Sequence, residues 1–197
     1  MKKILNYTFL SLILATNFAI AKVISTNPKI DEYFEELSYE DTNFEPDGAV
    51  CERVAVREVD VLYPKENFTI INSIQYDDKK TTIGELDLVI FDKSTGLVEA
   101  IAEVKCWRSF EGGLKKAKEQ RMRFQTYLNR GITITDGNDK RYSKDVFKQI
   151  KRYFTISQAG GMNRGYDFEL SLDLKELIEL RSRLLNCHAE GRCPRRK

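Results

Sequence analysis

The sequence predicts an α/β fold in which a central mixed β-sheet is flanked by helices. Segments with the alternating pattern of strands and segments with the 3.6-residue periodicity of helices interleave along the chain. The 197 residues contain no internal repeat and no low-complexity linker. Because a chain of this length can bury one sizeable hydrophobic core, we expect one main domain.

Two helices are predicted before the first strand. Residues 28–37 form a short acidic helix that begins at Pro28, and a loop through Pro46 and Gly48 follows it. Residues 49–64 carry apolar side chains at helical spacing. Their valines make a strand the competing prediction, and we favour the helix.

The next part of the chain predicts three strands joined by turns. The strands cover residues 68–76, 83–91 and 97–107. Residues 77–82 form the first turn, and residues 92–96 close a hairpin between the second and third strands.

The C-terminal half continues the alternation of helices and strands. A helix that begins near residue 114 ends before Gly131, because glycine is a common C-terminal stop. The remaining predicted elements are a short strand and turn at 131–139, a helix at 143–154, a strand at 166–172 and a final helix at 174–185.

The first 21 residues have the features of a secretory signal peptide. Two lysines precede an apolar stretch at residues 7–14, and Ala19-Ile20-Ala21 is a typical cleavage site. We predict an exported protein, periplasmic or secreted, without a membrane anchor, because this stretch is short and no other long apolar segment follows. The predicted organisation is a signal peptide at 1–21, an acidic segment at 22–48, the main domain at 49–186 and a basic, cysteine-containing tail at 187–197.

Charge is distributed unevenly along the chain. Removing the two lysines of the signal peptide from the 32 basic residues leaves as many basic as acidic residues (30), so net charge predicts no polyanionic partner. Residues 22–50 are acidic, whereas residues 105–130 form a basic surface that suits nucleic-acid phosphates or is simply a solvated helix face. The basic side chains are Lys105, Arg108, Lys115, Lys116, Lys118, Arg121, Arg123 and Arg130.

Four cysteines in an exported chain suggest two disulfides, for which three pairings are possible. Cys187 and Cys193 can close a short loop, and Cys51 and Cys106 would then form the second bridge. A buried free cysteine is the alternative at each position.

Charged residues interrupt the apolar pattern of the predicted hairpin. Asp87 lies in its first strand, and Glu103 and Lys105 lie in its second. Depending on the register, Asp87 is beside Ala102 or beside Glu103, and the latter pairing brings two carboxylates to a Cβ separation of roughly 5 Å. Since buried like charges repel, a divalent cation between them is the natural explanation. We expect Mg²⁺, with Mn²⁺ as an alternative, and Lys105 close enough to orient a metal-bound water.

The competing interpretation is an ordinary solvent-facing hairpin in which Lys105 neutralises its neighbours. Apolar runs at residues 86–91 and 100–104 favour a buried strand pair instead. Regular alternation further predicts one shared face for Glu85, Asp87, Val89 and Phe91.

Residues 84–92, GELDLVIFD, and residues 100–105, AIAEVK, resemble the hallmark of the PD-(D/E)xK nuclease superfamily. The resemblance implies a restriction-endonuclease-like core over residues 49–186, metal-dependent hydrolysis of phosphodiester bonds and usually a DNA substrate. It also implies roles for site residues: Asp87 and Glu103 as metal ligands, the carbonyl oxygen of Val104 as a further ligand, and Lys105 as the catalytic lysine.

Two weaker matches extend the resemblance on either side of the hairpin. Members commonly have a metal-site glutamate on the helix before the sheet, for which Glu52 is the best-placed residue and Glu58 the competitor. Several also have a glutamine on the helix after the lysine, in a Q-x-x-x-Tyr pattern, and Gln120 matches it although Phe124 replaces the tyrosine. Glu85 is an accessory candidate.

The predicted function is therefore a Mg²⁺-dependent deoxyribonuclease of weak sequence preference that acts in the periplasm or outside the cell. The alternatives are a non-catalytic nucleic-acid-binding or interaction protein of the same fold, and RNA as the substrate. A site built on His188, the single histidine, has no supporting motif. The residues expected to contact phosphates are Arg108, Lys115, Lys116, Lys118 and Arg123, and Trp107, Phe110 and Tyr127 either stack on bases or pack in the core.

Overall fold

The structure is a computed structural model that describes residues 27–78 and 81–193. The predicted signal peptide, residues 1–21, lies outside the described residues. Within them, no helix is long and apolar enough to cross a membrane. The helices are α1 (Pro28–Ser38), α2 (Ala49–Val59), α3 (Phe110–Leu128) and α4 (Leu174–Ala189), with 3₁₀-helices at Lys144–Phe147 and Met162–Arg164. The strands are β1 (Phe68–Asp77), β2 (Thr82–Asp92), β3 (Val98–Val104), β4 (Thr133–Thr135), β5 (Arg141–Tyr142), β6 (Arg152–Ser157) and β7 (Phe168–Glu169).

The strands of the described residues form one seven-stranded mixed sheet, in the order β5-β4-β1-β2-β3-β6-β7. β1, β2 and β3 pair antiparallel, whereas β3, β6 and β7 pair parallel. Helices α1, α2 and α4 contribute to the hydrophobic cluster on one face, and α3 packs on the other. The predicted α/β class, with a mixed sheet between helices, is confirmed.

The segment that begins at residue 49 is a helix, as we favoured. Val50, Cys51, Val54, Ala55 and Val59 recur on one side of α2, and all five are buried. They belong to the cluster that also contains Leu88 and Ile90 of the sheet. Burial of this apolar stripe outweighs the weak preference of valine for strands.

The predicted helix at residues 143–154 is wrong. Only a 3₁₀ turn at Lys144–Phe147 is helical there, and β6 begins at Arg152. β6 lies parallel to β3, with Ala102 beside Phe154 and Val104 beside Ile156. The aromatic and β-branched residues of this stretch therefore form a strand that pairs with the open edge of β3, although β3 is remote in sequence. The predicted strand at 166–172 is also shorter in the structure, since β7 covers only Phe168–Glu169 at the edge of the sheet.

The hairpin of β2 and β3 adopts the register that places the two carboxylates opposite each other. Leu88 is paired with Ala102, so the next step along the ladder brings Asp87 opposite Glu103. Asp92 closes the turn, because its carboxylate accepts hydrogen bonds from the backbone of Ser94 and Thr95. The register then shifts by one residue between Ile90 and Phe91, since Phe91 pairs with Val98 but Ile90 pairs with Ala100. This irregularity, and not the turn alone, brings Asp87 opposite Glu103.

Strict alternation breaks down at Asp87, contrary to the expectation of one shared face. Leu86 packs in the same hydrophobic cluster as Val89 and Phe91. Regular alternation would place Leu86 on the opposite face, because it lies three and five positions before them. On the neighbouring strand, Ser73 lies opposite Asp87, since Asn72 pairs with Leu88 and Ile74 with Leu86. Ser73 has a φ of 59°, in the left-handed region, so β1 changes the direction of its side chains at the same level as β2.

Candidate active site

Asp87, Glu103 and Lys105 form a buried charged cluster where β2 and β3 diverge. Their exposed fractions are 5%, 3% and 8%. The last backbone pair of this ladder is Leu88 with Ala102. Beyond it, the N–H of Val104 donates to Oδ2 of Asp87 at 2.7 Å instead of to a strand carbonyl. The aspartate side chain thus continues the ladder and is held rigidly by it.

The ammonium of Lys105 contacts three oxygen acceptors at once. It forms an ion pair with Oδ2 of Asp87, donates to the carbonyl oxygen of Val104 at 3.0 Å and lies 3.5 Å from Oε2 of Glu103. These are the three groups that the resemblance assigns to a metal ion. One positive charge therefore lies where the side chains and backbone converge.

The cluster carries more negative than positive charge. Burial and the neighbouring Asp87 raise the pKa of Glu103 to about 9, against the opposing effect of Lys105. Burial lowers the pKa of Lys105, but the carboxylates of Asp87 and Glu103 outweigh it, so this pKa is raised and the lysine stays charged. The Oε1 atom of Glu103 is buried without a hydrogen-bond partner. Burying an oxygen in this state lowers the stability of the fold unless the oxygen binds a proton or another cation.

Glu52 joins this cluster from α2. Burial, together with the charges of Asp87 and Glu85, raises its pKa to about 7, whereas Lys105 opposes the shift. Its carboxylate occupies space at the start of α2, where a Cβ on Gly48 would lie 3.0 Å from Oε1. Residue 48 therefore suits glycine because it leaves room for this side chain.

Glu58, the competing residue on α2, lies in a different network. Its carboxylate accepts hydrogen bonds from the hydroxyl of Tyr33 at 2.7 Å and from the backbone N–H of Ser171 at 3.0 Å. These contacts tie α2 to α1 and to the segment before α4, so the structure gives Glu58 a packing role and brings Glu52, not Glu58, to the charged cluster.

A cleft of about 610 Å³ opens beside the cluster. Glu52 and Glu85 both line it, which places Glu85 next to Glu52 at the wall and not among the hydrogen bonds of Lys105. The opposite side of the cleft is formed by Asp136, Gly137 and Asn138 of the turn between β4 and β5. The cleft therefore opens onto Glu52 and Glu85, whereas Asp87, Glu103 and Lys105 do not line it.

Gln120 and Tyr76 supply two further buried oxygens without partners. They are Oε1 of Gln120, on α3, and the hydroxyl of Tyr76, on β1. Burial raises the pKa of Tyr76 to about 12, and Arg123 and Glu103 both act on the phenol electrostatically. Tyr76 was not predicted from the sequence. The sequence feature that points to it is Gly84 of GELD. Gly84 pairs with Tyr76, and a Cβ at residue 84 would overlap the tyrosine hydroxyl.

The predicted phosphate-binding residues line the outer side of α3 and the segment before it. Arg108, Lys115 and Lys118 are exposed, whereas Lys116 and Arg123 are half-buried. Arg123 also donates to the carbonyl oxygen of Ile83 at 3.3 Å. Trp107 is 45% exposed, while Phe110 and Tyr127 are half-buried. Of the three aromatic candidates for base stacking, the structure leaves the tryptophan ring most open to solvent.

The cysteines form the bridges Cys51–Cys106 and Cys187–Cys193, with no free cysteine among the described residues. The first bridge joins α2 to the residue after Lys105, and the second closes a loop at the end of α4. Two disulfides are compatible with an exported protein.

Comparison of the chain with known protein families, curated proteins and solved structures finds no match. Within residues 27–78 and 81–193, no group of three or more histidine, cysteine, aspartate or glutamate side chains has an arrangement that could hold a metal ion. Asp87 and Glu103 are two carboxylates with an ammonium between them, and Glu52 acts on them electrostatically from α2. The chemistry of this cluster is therefore the basis for assigning a function to the protein.

Proposed function

We propose that the protein is a metal-dependent nuclease that hydrolyses phosphodiester bonds of DNA. The observation that carries the proposal is the convergence of two buried carboxylates and a backbone carbonyl on one point, with Oε1 of Glu103 left without a partner. A fold gains no stability from burying two acids opposite each other, so the arrangement calls for a cation. The resemblance of residues 84–105 to the PD-(D/E)xK nucleases supports the same conclusion.

The donor set fits a hard divalent cation such as Mg²⁺ or Mn²⁺. Carboxylate oxygens of Asp87 and Glu103 and the carbonyl oxygen of Val104 would hold it, with Glu52 facing it from α2. Such a cation, when bound, polarises the scissile phosphate and lowers the pKa of a water molecule. Its charge would also oppose the burial and the repulsion from Asp87 that together raise the pKa of Glu103 and of Glu52.

Lys105 and Glu52 would then carry out the proton and charge chemistry of the chain itself. The ammonium of Lys105, released from its contact with Asp87, can donate to a phosphate oxygen on which negative charge develops. The carboxylate of Glu52 has a pKa of about 7 and can therefore accept or give up a proton near neutral pH.

The substrate proposal is DNA bound through its backbone, with weak sequence preference. Arg108, Lys115 and Lys118 offer exposed cations on α3 and on the segment that joins it to Lys105. We propose that the enzyme acts after export, in the periplasm or outside the cell. A non-catalytic nucleic-acid-binding protein is the second candidate, because the ion pair of Lys105 with Asp87 satisfies the site partly without metal. RNA as the substrate would use the same residues.

The test is cleavage of plasmid, linear duplex, single-stranded DNA and RNA by residues 22–197, with Mg²⁺, Mn²⁺ or EDTA. Glu103→Gln removes one charge from the site, and Glu99→Gln makes the same change on the same strand. Glu99 is a matched control because it pairs with the exposed Lys151 at 2.7 Å. We expect metal-dependent cleavage of DNA that Glu103→Gln abolishes and Glu99→Gln preserves. Equal activity of the two variants, or no cleavage under any condition, would overturn the proposal.

A further inference from the structure

We propose that the Cys51–Cys106 disulfide is a redox-sensitive clasp that holds Glu52 against Lys105, so that the site is assembled only when the bridge is oxidised. The inference rests on the proposed nuclease function and adds to it a site of reversible modification.

The two cysteines flank residues of the site on both elements. Cys51 immediately precedes Glu52 on α2, and Cys106 immediately follows Lys105 beyond the end of β3. The bridge joins Cα atoms 6.2 Å apart across 55 residues of sequence. It is therefore a direct covalent connection between the helix that carries Glu52 and the segment that follows Glu103 and Lys105 at the end of β3.

The charges of the site oppose this arrangement. Glu52 faces Asp87 and Glu85, whose negative charges disfavour its own, and only Lys105 and Arg53 offset them. The position of Glu52 beside these groups therefore depends on what holds the start of α2. The disulfide provides a covalent connection one residue from Glu52, next to the buried Val50, whereas Val54 and Val59 pack further along the helix.

The bridge is also accessible from solvent. Cys51 is buried and Cys106 is half-buried, but both line a cleft of about 310 Å³ whose other walls include Val50, Leu177 and Ile178. A small dithiol can enter such a cleft and reach the sulfur of Cys106. Cys187 and Cys193 are both buried, at 4% and 5% exposed, and lie on α4 and just after it. The second bridge therefore serves as an internal control.

The redox step is thiol–disulfide exchange. One thiolate of a dithiol attacks a sulfur of the bridge, which forms a mixed disulfide and releases the other cysteine as a thiolate. The second thiol of the reagent then attacks the reagent sulfur of the mixed disulfide and releases the remaining cysteine. Two electrons and two protons pass to the protein, which gains two thiols, and the dithiol becomes a disulfide. A disulfide donor reverses the step. In a reducing compartment the nuclease would therefore lack its assembled site, and it would gain activity after export, away from the DNA of the cell that makes it.

The experiment compares Cys51→Ser/Cys106→Ser with Cys187→Ser/Cys193→Ser in Mg²⁺-dependent DNA cleavage. Folding is checked by circular dichroism at the assay temperature. We expect kcat of the first variant to fall about 10- to 100-fold, with a smaller change in KM, because Glu52 is displaced relative to Lys105. The second variant should keep the activity of the wild-type protein. Equal effects of the two variants would overturn the proposal.

Two further measurements keep the test valid if the first variant folds poorly. Wild-type protein treated with dithiothreitol should lose activity in step with reduction of Cys51–Cys106, followed by mass spectrometry, and should recover it on reoxidation. Glu52→Gln should lower kcat strongly in the oxidised protein and hardly further in Cys51→Ser/Cys106→Ser, because the bridge acts through Glu52. Full activity of the reduced protein would refute the clasp, whereas an inactive oxidised wild-type protein would refute the nuclease proposal itself.

Discussion

Replacing Lys105 by methionine tests the charge balance of the site without any assay of activity. Methionine keeps much of the volume of the side chain and removes its ammonium, which contacts Asp87, Val104 and Glu103. Removal of one partner from a buried ion pair leaves an uncompensated charge and typically costs about 3–5 kcal/mol. Because burial and the neighbouring Asp87 raise the pKa of Glu103, this glutamate can take up a proton when the ammonium is removed, and Asp87 then carries most of the penalty. We therefore expect the lower end, about 3 kcal/mol.

The assay is thermal unfolding with EDTA and with Mg²⁺. For a chain of this size, a loss of about 3 kcal/mol lowers Tm by roughly 6–12 °C in EDTA. Mg²⁺ at a concentration about 100-fold above its Kd should restore about 2.7 kcal/mol in Lys105→Met. It should stabilise the wild-type protein less, because there the cation has to displace the ammonium from Asp87.

Lys151→Met is the matched control. Its ammonium lies 2.7 Å from Glu99 on the same sheet, but the side chain is 70% exposed, so we expect no change in Tm. The reasoning would be wrong if Lys105→Met had the Tm of the wild-type protein in EDTA, or if Mg²⁺ shifted both proteins equally.

Three further predictions concern the bridges, the pH dependence and the tryptophan. Loss of Cys51–Cys106 should cost about 4 kcal/mol of unfolding free energy and loss of Cys187–Cys193 about 2, because the first closes the longer loop; urea titrations in which the order is reversed would contradict this. Glu52 has a folded pKa raised from 4.5 to about 7, so its stabilising contribution is full below pH 4.5 and is lost as the pH rises through 7. In EDTA the loss should reach about 3 kcal/mol and disappear in Glu52→Gln, and an unchanged pH profile in that variant would refute the assignment. Trp107, the single tryptophan, should show quenched fluorescence when single-stranded DNA binds in EDTA, and Trp107→Ala should bind more weakly; unquenched fluorescence at saturation would exclude stacking.

Local patterns in the chain were sufficient to predict much of the fold around the site. α1, α2, β1 and the hairpin of β2 and β3 lie where periodicity and turn residues place them. The Asp92 turn connects the two strands directly, so counting outward from it leaves Ala102 and Glu103 as the two candidates opposite Asp87. The register shift between Ile90 and Phe91 selects Glu103. Hairpins can be predicted in this way because both partners lie close together in sequence.

The errors occur where a distant partner decides the conformation. Residues 152–157 form a strand because β3 offers them an open edge, and no feature within the segment itself reveals that edge. The change of face at Asp87 depends on Ser73 of the neighbouring strand, which the hairpin pattern does not contain. Tyr76 was missed for a similar reason, since its position beside Glu103 follows from the packing of β1 against β2 and α3.

The sequence by itself therefore narrowed the residue opposite Asp87 to Ala102 or Glu103, because a tight turn and a two-residue period leave few registers open. It also identified Lys105, two residues after Glu103. Only the structure selected Glu103, through the register shift between Ile90 and Phe91. Only the tertiary structure decided between Glu52 and Glu58, since the direction of each side chain depends on how α2 packs on the sheet. Only the tertiary structure placed the Lys105 ammonium among three oxygens and left Glu103 with an unpaired one, because burial and charge balance are properties of the assembled core.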